Sequence, residues 1–336
     1  MAQVTDQRLK VLILAGGPDR ERAVSLKSGA AVAAAARAAG HDVRQSDVGP
    51  DNLSALDEFR EWGGDVVFPV LHGPWGEGGP MQRILDARGV PYVGCRAEAA
   101  DLCMDKYRTK ERLIAHGLPT PTFERLSRGQ TPTIQPPLVV KALREGSSVE
   151  MAICKTSGEA DRALTDLQSR HEHLLVEQFV KGRDLTVGIL GDRALSPILI
   201  LPAGGFYDYA AKYERNDTKY LVGLHAIAEV FSAGAAVPTG ASGSFAYVEA
   251  PMDEQAMADV LSEFEELALK AFRALGCRHM ARVDFLVTDE RCRPTILEVN
   301  TIPGFTDHSL LPMAAADVGL SMPKLVDTLL RMAPAD

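Results

Sequence analysis

The sequence predicts an α/β protein that changes character along its length, from a parallel α/β unit at the N-terminus to antiparallel, α+β hairpins beyond it. Three observations carry this expectation. An apolar run over residues 11–15 breaks at Gly16-Gly17-Pro18, then an alanine-rich helical stretch runs to Gly40 and a second strand follows over 42–48, a βαβ start. Near the other end, two apolar runs of strand length, 280–288 and 294–300, flank a polar turn. Alternation there places Arg282, Asp284, Glu298 and Asn300 on one face. Finally, 336 residues with 46% apolar and 24% charged content give an ordinary globular composition, long enough for two or three compact units.

Composition also excludes several classes. A net charge of −9 argues against a nucleic-acid footprint, although a local basic site for phosphates is compatible with an acidic whole. Cys95, Cys103, Cys154, Cys277 and Cys292 form no C-x-x-C pair and no zinc-like spacing, so they read as reduced thiols. No apolar run approaches the ~20 residues of a membrane span. The expectation is a cytoplasmic enzyme or binding protein, with neither nucleic acid nor membrane as partner.

Taken in order, the first crossover places Glu21 and Ser25 at the carboxyl edge of the parallel sheet, where open α/β folds bind ligands. Residues 66–72 read as a further strand ending in a glycine-rich loop that opens a helix near Met81, and 90–94 as the strand closing this unit. His72, alone, reads more readily as structural than catalytic. The pattern turns helical near Ala97, with a domain boundary between Cys95 and Asp105. A strand over 137–141 then ends in Lys141, which is costly to bury unless an anion meets it. The Gly146-Ser147-Ser148 turn after it supplies backbone N–H groups and hydroxyls suited to phosphate, and a strand over 151–154 completes a hairpin. After a polar helix over 158–171, residues 174–180 carry Glu177 and Gln178 in an apolar run that can read an adenine edge. Residues 185–190 follow as the second arm of a hairpin.

A strand over 196–202 leads into a loop, 205–220, whose four tyrosines and three basic residues suit a lid. Residues 222–245, rich in Ala, Gly and Ser, show no clear period and are expected to be mobile. An amphipathic helix over 253–276 feeds the C-terminal hairpin. Hard oxygen ligands on that hairpin suit Mg2+, which takes one or two carboxylates and fills its other positions with water and phosphate oxygens. Ser309 reads as the N-cap of the next helix, which would offer N–H groups to a carboxylate.

The blocks Glu21-Arg-Ala-Val-Ser, Leu71-His-Gly, Met104-Asp-Lys, Arg144-Glu-Gly-Ser-Ser, Phe206-Tyr-Asp-Tyr-Ala-Ala-Lys-Tyr, Ala281-Arg-Val-Asp and Glu298-Val-Asn-Thr-Ile-Pro-Gly-Phe-Thr-Asp-His-Ser-Leu resemble, in order, the D-alanine–D-alanine ligase family of the ATP-grasp superfamily. The resemblance implies an ATP-grasp fold with a Rossmann-like N-terminal unit (1–103), a central subdomain (104–190) and a C-terminal subdomain with lid and metal site (191–336). It also implies ATP-dependent joining of two D-alanine molecules through an acyl phosphate, in peptidoglycan precursor synthesis.

By the same resemblance, Asp284, Glu298 and Asn300 would hold two Mg2+ ions, or Mn2+, against the phosphates of ATP. Lys106, Lys141 and Lys212 would meet phosphate oxygens, with Ser148 in the loop over them. Glu177 and the Val180 backbone would read adenine, and Asp184 the ribose. Glu21, Ser147 and Tyr213 would form a hydrogen-bonded triad, with Glu21 on the first D-alanine's ammonium. His72 would meet the first carboxylate, Ser309 and Leu310 the second, and Arg282 with the Gly304 N–H would form an oxyanion hole. A homodimer through the first domain is implied too.

Some positions depart from the family's pattern: Ala142 stands for a common proline, Asp184 for a glutamate, Gln178 for a lysine and Glu150 for a glycine. Glu150 adds negative charge near ATP, and 222–245 looks like an insertion. Tyr213 favours an amine acceptor. The alternatives are a ligase with another acceptor, or a nucleotide-binding protein that has lost turnover.

Overall fold

The computed structural model describes residues 7–146, 150–204, 207, 217–232, 237–238, 245–246, 253–288 and 292–335. Strands β1 (Lys10–Gly16), β2 (Asp42–Val48) and β3 (Val66–Pro69) form a parallel sheet in the order β2-β1-β3. Helix α1 (Arg22–Ala38) crosses from β1 to β2, and α2 (Ser54–Trp62) crosses from β2 to β3. Gly16 has φ +95, and a β-carbon there would lie 2.1 Å from Asp47 Oδ1, so the β1–α1 turn requires glycine. The buried Ser25 hydroxyl accepts from the Gly16 N–H at 2.9 Å and donates to the Val70 carbonyl. Ser25 thus closes the sheet edge structurally.

Helices α3 (Gly73–Glu77) and α4 (Pro80–Ala87) follow β3. The strand expected over 90–94 is reduced to one bridge, Val67 to Tyr92. Pro91 has no N–H to extend the ladder and Gly94 turns left-handed at φ +103, so pairing stops there. Helices α5 (Ala97–Met104) and α6 (Lys106–Ala115) then lead out of this unit.

The next sheet is antiparallel, in the order β4-β7-β5-β6, from β4 (Phe123–Ser127), β5 (Leu138–Ala142), β6 (Met151–Cys154) and β7 (His173–Gln178). Helix α7 (Ser157–Arg170) packs on it and starts with a capping box, Thr156 accepting from the Glu159 N–H. The hairpin expected between 174–180 and 185–190 does not form. Strand β7 pairs with β4 and β5, whereas β8 (Arg183–Leu190) pairs with β10 and β14 in another sheet. Gly182 makes the crossing possible, because a β-carbon there would lie 2.6 Å from the Val287 carbonyl oxygen. Strand β4 has no counterpart in the sequence reading.

The largest sheet runs β11-β10-β8-β14-β15, with β9 (Arg193–Ala194) beside β8. Its remaining strands are β10 (Ile198–Leu201), β11 (Lys219–Val222), β14 (Met280–Thr288) and β15 (Arg293–Asn300). Within the stretch expected to be without period, α8 (Gly223–Ser232) forms, followed by a two-stranded pair, β12 (Val237–Pro238) with β13 (Phe245–Ala246). Ile227 and Ala228 are buried on α8, with Leu224 packed against the core, and this i, i+3, i+4 face orders the helix.

Helix α9 (Glu254–Ala274) is capped by Asp253, which accepts from the Ala256 N–H at 2.7 Å. It buries Met257, Leu261, Phe264, Ala268 and Ala271 beneath the large sheet, Phe264 meeting Phe285 edge-to-face at 5.1 Å. Helices α10 (Leu310–Asp317) and α11 (Met322–Met332) finish the chain and share a core with β1 and α1.

Helix α1 lies tightly on β1 at Gly29, where a β-carbon would come within 2.5 Å of the Ala15 β-carbon. Neither atom can rotate away, so Gly29→Ala is expected to destabilise the protein by about 1–3 kcal/mol. Thermal or urea unfolding checks this; an unchanged midpoint would mean that α1 can lift off the strand at no cost.

Candidate active site

A cleft runs between the two antiparallel sheets and opens toward the parallel unit. Its floor is the β14–β15 hairpin, where Arg282 pairs with Asn300 and Asp284 with Glu298. The polar face expected from alternation is therefore present. A register shift after Asp284 pairs Phe285 with Ile296 and leaves Leu297 as the extra residue. Leu297 and Glu298 consequently both face the cleft, which simple alternation forbids.

At the inner end, Glu21, His72, Glu77, Lys106, Arg282, Glu298, Asn300, Gly304, Ser309 and Leu310 line a polar cavity. Burial pushes the His72 imidazole below its usual range, against the opposing Glu21 charge and a hydrogen bond with the Ile302 backbone. Its Nε2 is buried and has no hydrogen-bond partner among the described residues. A neutral ring with an unsatisfied nitrogen in a cavity is a ligand contact more than a structural histidine. Glu77, which the sequence reading passed over, accepts from the Gly73 N–H at 3.0 Å. Burial, reinforced by Glu21, raises its carboxyl to about 8.

Ser309 occupies the N-cap position of α10 but does not cap it; its hydroxyl accepts from the Thr306 N–H at 2.8 Å. Gly304 makes room for that hydroxyl, since a β-carbon there would lie 2.8 Å from Ser309 Oγ. The segment is held on the parallel unit by Phe305, whose N–H donates to Ser28 Oγ at 3.2 Å and whose ring meets Phe68 edge-to-face.

The middle of the cleft is lined by Lys106, Lys141, Asp184, Tyr207, Arg282, Asp284, Leu297 and Glu298. Arg282 donates through Nε and Nη2 to the two oxygens of Asp284, each at 2.8 Å, and the Thr186 hydroxyl donates to Asp284 Oδ1 at 2.6 Å. Lys106 lies 3.7 Å from Glu298; burial pushes its ammonium below the usual range, with Glu298 opposing. Asn300 Oδ1 accepts from the Ile302 N–H at 3.0 Å. Two carboxylates facing one another across a strand pair, with an amide oxygen beside them, are a hard-oxygen set. They fit Mg2+ completed by phosphate and water oxygens. Among the described residues, no cage of three or more His, Cys, Asp and Glu exists to hold a metal without such help.

At the outer end, Val139, Met151, Ile153, Glu177, Phe179, Val180, Asp184 and Leu297 line a largely apolar slot. Glu177 is 2% exposed, and its carboxylate is ion-paired with both Lys110 and Lys141. Burial raises this carboxyl, but Lys141 and Lys110 outweigh that and hold it below the usual range. Lys110, to which the sequence reading gave no role, is pushed down to about 8 by burial against the pull of Glu177. Its position four residues beyond Lys106 on α6 reads from sequence as a solvated helix face.

Ser147, Ser148, Lys212 and Tyr213 lie outside the described residues, as does most of the tyrosine-rich loop. Glu150, beside that gap, has φ +56, a left-handed conformation that costs a non-glycine residue roughly 1 kcal/mol. Its carboxylate accepts from Arg170 Nη2 at 2.8 Å, with His171 at 3.5 Å and Arg20 at 3.7 Å. The charge expected to face ATP is therefore balanced locally by cations.

Two antiparallel sheets closing on a lysine-lined cleft, with paired carboxylates on its floor, define the ATP-grasp fold class. Comparison with known proteins narrows this. The family model "D-ala D-ala ligase C-terminus" matches residues 115–233 and 243–331, and "D-ala D-ala ligase N-terminus" matches 41–95. A D-alanine–D-alanine ligase of Syntrophotalea carbinolica is 38% identical over 327 residues, 96% of either chain. D-alanine–D-alanine ligase B of Chromobacterium violaceum is 40% identical over 317 residues, 93% of either chain. The crystal structure of the Bacillus anthracis D-alanine–D-alanine ligase complexed with ATP superposes with a TM-score of 0.73 at 26% identity, covering 98% of this chain and 97% of that one. The chain belongs to the D-alanine–D-alanine ligase family. The family match includes α8, so what lies outside it in this region is only 234–242, less than the insertion expected over 222–245.

Glu77 binds a proton in the folded state that it releases on unfolding over the range between its ordinary value of 4.5 and about 8. The folded carboxyl is raised, so this stabilising contribution is complete below 4.5 and is lost as pH climbs through 8. Stability should fall by up to about 1.4 kcal/mol per pH unit in that window from this group. Urea unfolding between pH 5 and 8 measures the slope. Glu77→Gln should flatten it, and an unchanged slope in that variant would assign the proton elsewhere.

Proposed function

We propose that this protein is an ATP-dependent ligase that joins two D-alanine molecules to D-alanyl-D-alanine for peptidoglycan precursor synthesis, in the cytoplasm. The observation that carries this reading is the shared wall of the cleft. Lys106, Arg282, Glu298 and Leu310 line both the inner polar cavity and the phosphate-sized middle section, so a phosphoryl group and an amino-acid carboxylate can meet there. Among the described residues, no helix is long and apolar enough to cross a membrane.

In this reading adenine occupies the outer slot against Val139, Ile153 and Leu297, with the Val180 backbone and Glu177 at its edge and Asp184 toward the ribose. Lys106 and Lys141, with Lys212 and Ser148 from the loops, neutralise phosphate charge. Asp284, Glu298 and Asn300 would hold Mg2+, which supplies Lewis-acid polarisation of the phosphates when bound. The first D-alanine places its ammonium at Glu21 and its carboxylate near the neutral His72, with Ser147 and Tyr213 completing the contacts of Glu21.

A carboxylate is a poor electrophile. Attack of its oxygen on the γ-phosphorus breaks the bond to ADP and leaves an acyl phosphate with a good leaving group. The second D-alanine, its carboxylate at Ser309 and the start of α10 beside Leu310, then attacks the acyl carbon through its amine. The oxyanion that forms accepts from Arg282 and the Gly304 N–H, and phosphate departs. Asp284 fixes the guanidinium for this task. Water has to be kept out while the acyl phosphate exists, a role suited to Tyr207 and the loop that follows it.

The proposal also divides the chain into a parallel N-terminal unit (1–103), a central subdomain (104–190) and a C-terminal subdomain (191–336); the pairing of β8 with β10 and β14 favours counting β8 with the C-terminal sheet. A homodimer through the first unit completes the proposal.

Phosphate release from ATP should be strongest with D-alanine across a panel of D- and L-amino acids. No D-alanine-dependent phosphate would overturn the reading, and a stronger response to a different second amino acid would reassign the acceptor. Arg282→Ala should lower kcat about 10²–10³-fold, with KM for ATP nearly unchanged; steady-state kinetics at saturating D-alanine provide the check.

A further inference from the structure

The ligation chemistry uses no thiol, yet three buried cysteines meet at the junction between the parallel unit and the large sheet. Cys103, in the last turn of α5, lies with its sulfur 3.7 Å from that of Cys277, in the turn between α9 and β14. Cys95 belongs to the same buried cluster, its sulfur facing the Arg278 carbonyl at 4.0 Å. All five cysteines are free, and Cys154 and Cys292 are buried elsewhere, on β6 and just before β15. Among the described residues, none of these clusters could hold a metal. Thiol–thiol chemistry is what the arrangement offers.

The three thiols are not equivalent. Cys103 lines the inner cavity together with Met104 and Lys106. Cys95 and Cys277 line none of the three sections of the cleft. The neighbouring thiol, Cys277 for Cys95 and Cys103 for Cys277, together with burial pushes both well above the usual range, for Cys277 against an opposing effect of Cys95, so both stay protonated. The cluster therefore pairs one cavity-lining cysteine with a neighbour already in contact.

We propose that Cys103 and Cys277 form an oxidisable dithiol that opens onto the substrate cavity, with a small hydroperoxide as its reactant. The Cys103 sulfur attacks one peroxide oxygen; an S–O bond forms, the O–O bond breaks, and the departing oxygen takes the Cys103 thiol proton, leaving as water from hydrogen peroxide or as the alcohol from an organic hydroperoxide and giving the sulfenic acid. The Cys277 sulfur then attacks the Cys103 sulfur. The S–S bond forms as the S–O bond breaks, and the Cys277 thiol proton leaves with the hydroxyl as water. The two sulfurs lose two electrons in total and the peroxide gains them.

Closing 3.7 Å to a disulfide of about 2.05 Å draws the end of α5 toward the β14 turn. That end carries Met104 into Lys106, which lines both the substrate and phosphate sections. Oxidation is therefore expected to lower D-alanine-dependent turnover, and a thiol reductant to restore it.

The test uses the full-length protein treated with hydrogen peroxide, alkylated and digested, with peptides read by mass spectrometry. The expected product is a Cys103–Cys277 linked pair lighter by two hydrogens, formed severalfold more slowly when ATP and D-alanine fill the cleft and reversed by dithiothreitol. Cys277→Ala should retain basal activity but yield a Cys103 sulfenic acid trapped by dimedone in place of the link; Cys95→Ala should still form it. Recovery of Cys103 and Cys277 as separate alkylated peptides from peroxide-treated wild type overturns the proposal, whether or not the variants fold. So does a link that forms at the same rate with the cleft filled. Because peptide mass is the readout, these outcomes are independent of which amino acids the enzyme joins.

Discussion

The buried carboxylate of Glu177, held between Lys110 and Lys141, is the interaction around which the outer end of the cleft is built. It ties helix α6 to strands β5 and β7 of the central sheet. Lys110 extends the tie by donating to Thr120 Oγ1 at 2.6 Å, and Thr120 donates in turn to the Ile296 carbonyl at 2.9 Å. Ile296 belongs to β15, so one hydrogen-bonded chain joins the two antiparallel sheets beneath the slot between them. Such a cluster contributes little net stability over an apolar filling, but removing one partner strands a buried charge at a cost of about 3–5 kcal/mol. Its value lies in orientation: Lys141 is held at the point where the apolar slot gives way to the polar middle section.

Charge is graded along the cleft in the same way. The outer slot is mostly apolar, the middle balances Lys106, Lys141 and Arg282 against Asp184, Asp284 and Glu298, and the inner cavity gathers Glu21, Glu77 and Glu298 near Arg282. Crowded carboxylates cannot all ionise, and Glu77 is the one that keeps its proton at neutral pH.

Much of this was legible in the sequence. The βαβ start, the hairpin at 151–154, the long helix before the C-terminal hairpin and the polar face of that hairpin all follow from periodicity and turn chemistry. What periodicity could not show was the fate of individual polar side chains. Lys110 and Glu77 lie on short helices whose patterns look solvent-facing, and only distant partners bury them. The bulge at Leu297 breaks the period that identified its strand. The separation of β7 from β8 into different sheets is likewise a long-range outcome, since two adjacent strands joined by Lys181-Gly182 look like a hairpin until Gly182 is seen passing under the Val287 carbonyl.

The contact between the 304–310 segment and α1 has an evolutionary side. Phe305 reaches across to Ser28 and Phe68, while Gly304 is bare because Ser309 folds back over it. The inner cavity thus draws on the first and last quarters of the gene, far apart in the message and adjacent in space. A recombination event that exchanged the N-terminal unit alone would mismatch this seam even if both halves folded well. Substitutions at Ser28, Phe68 and Phe305 are accordingly expected to be inherited together across the family.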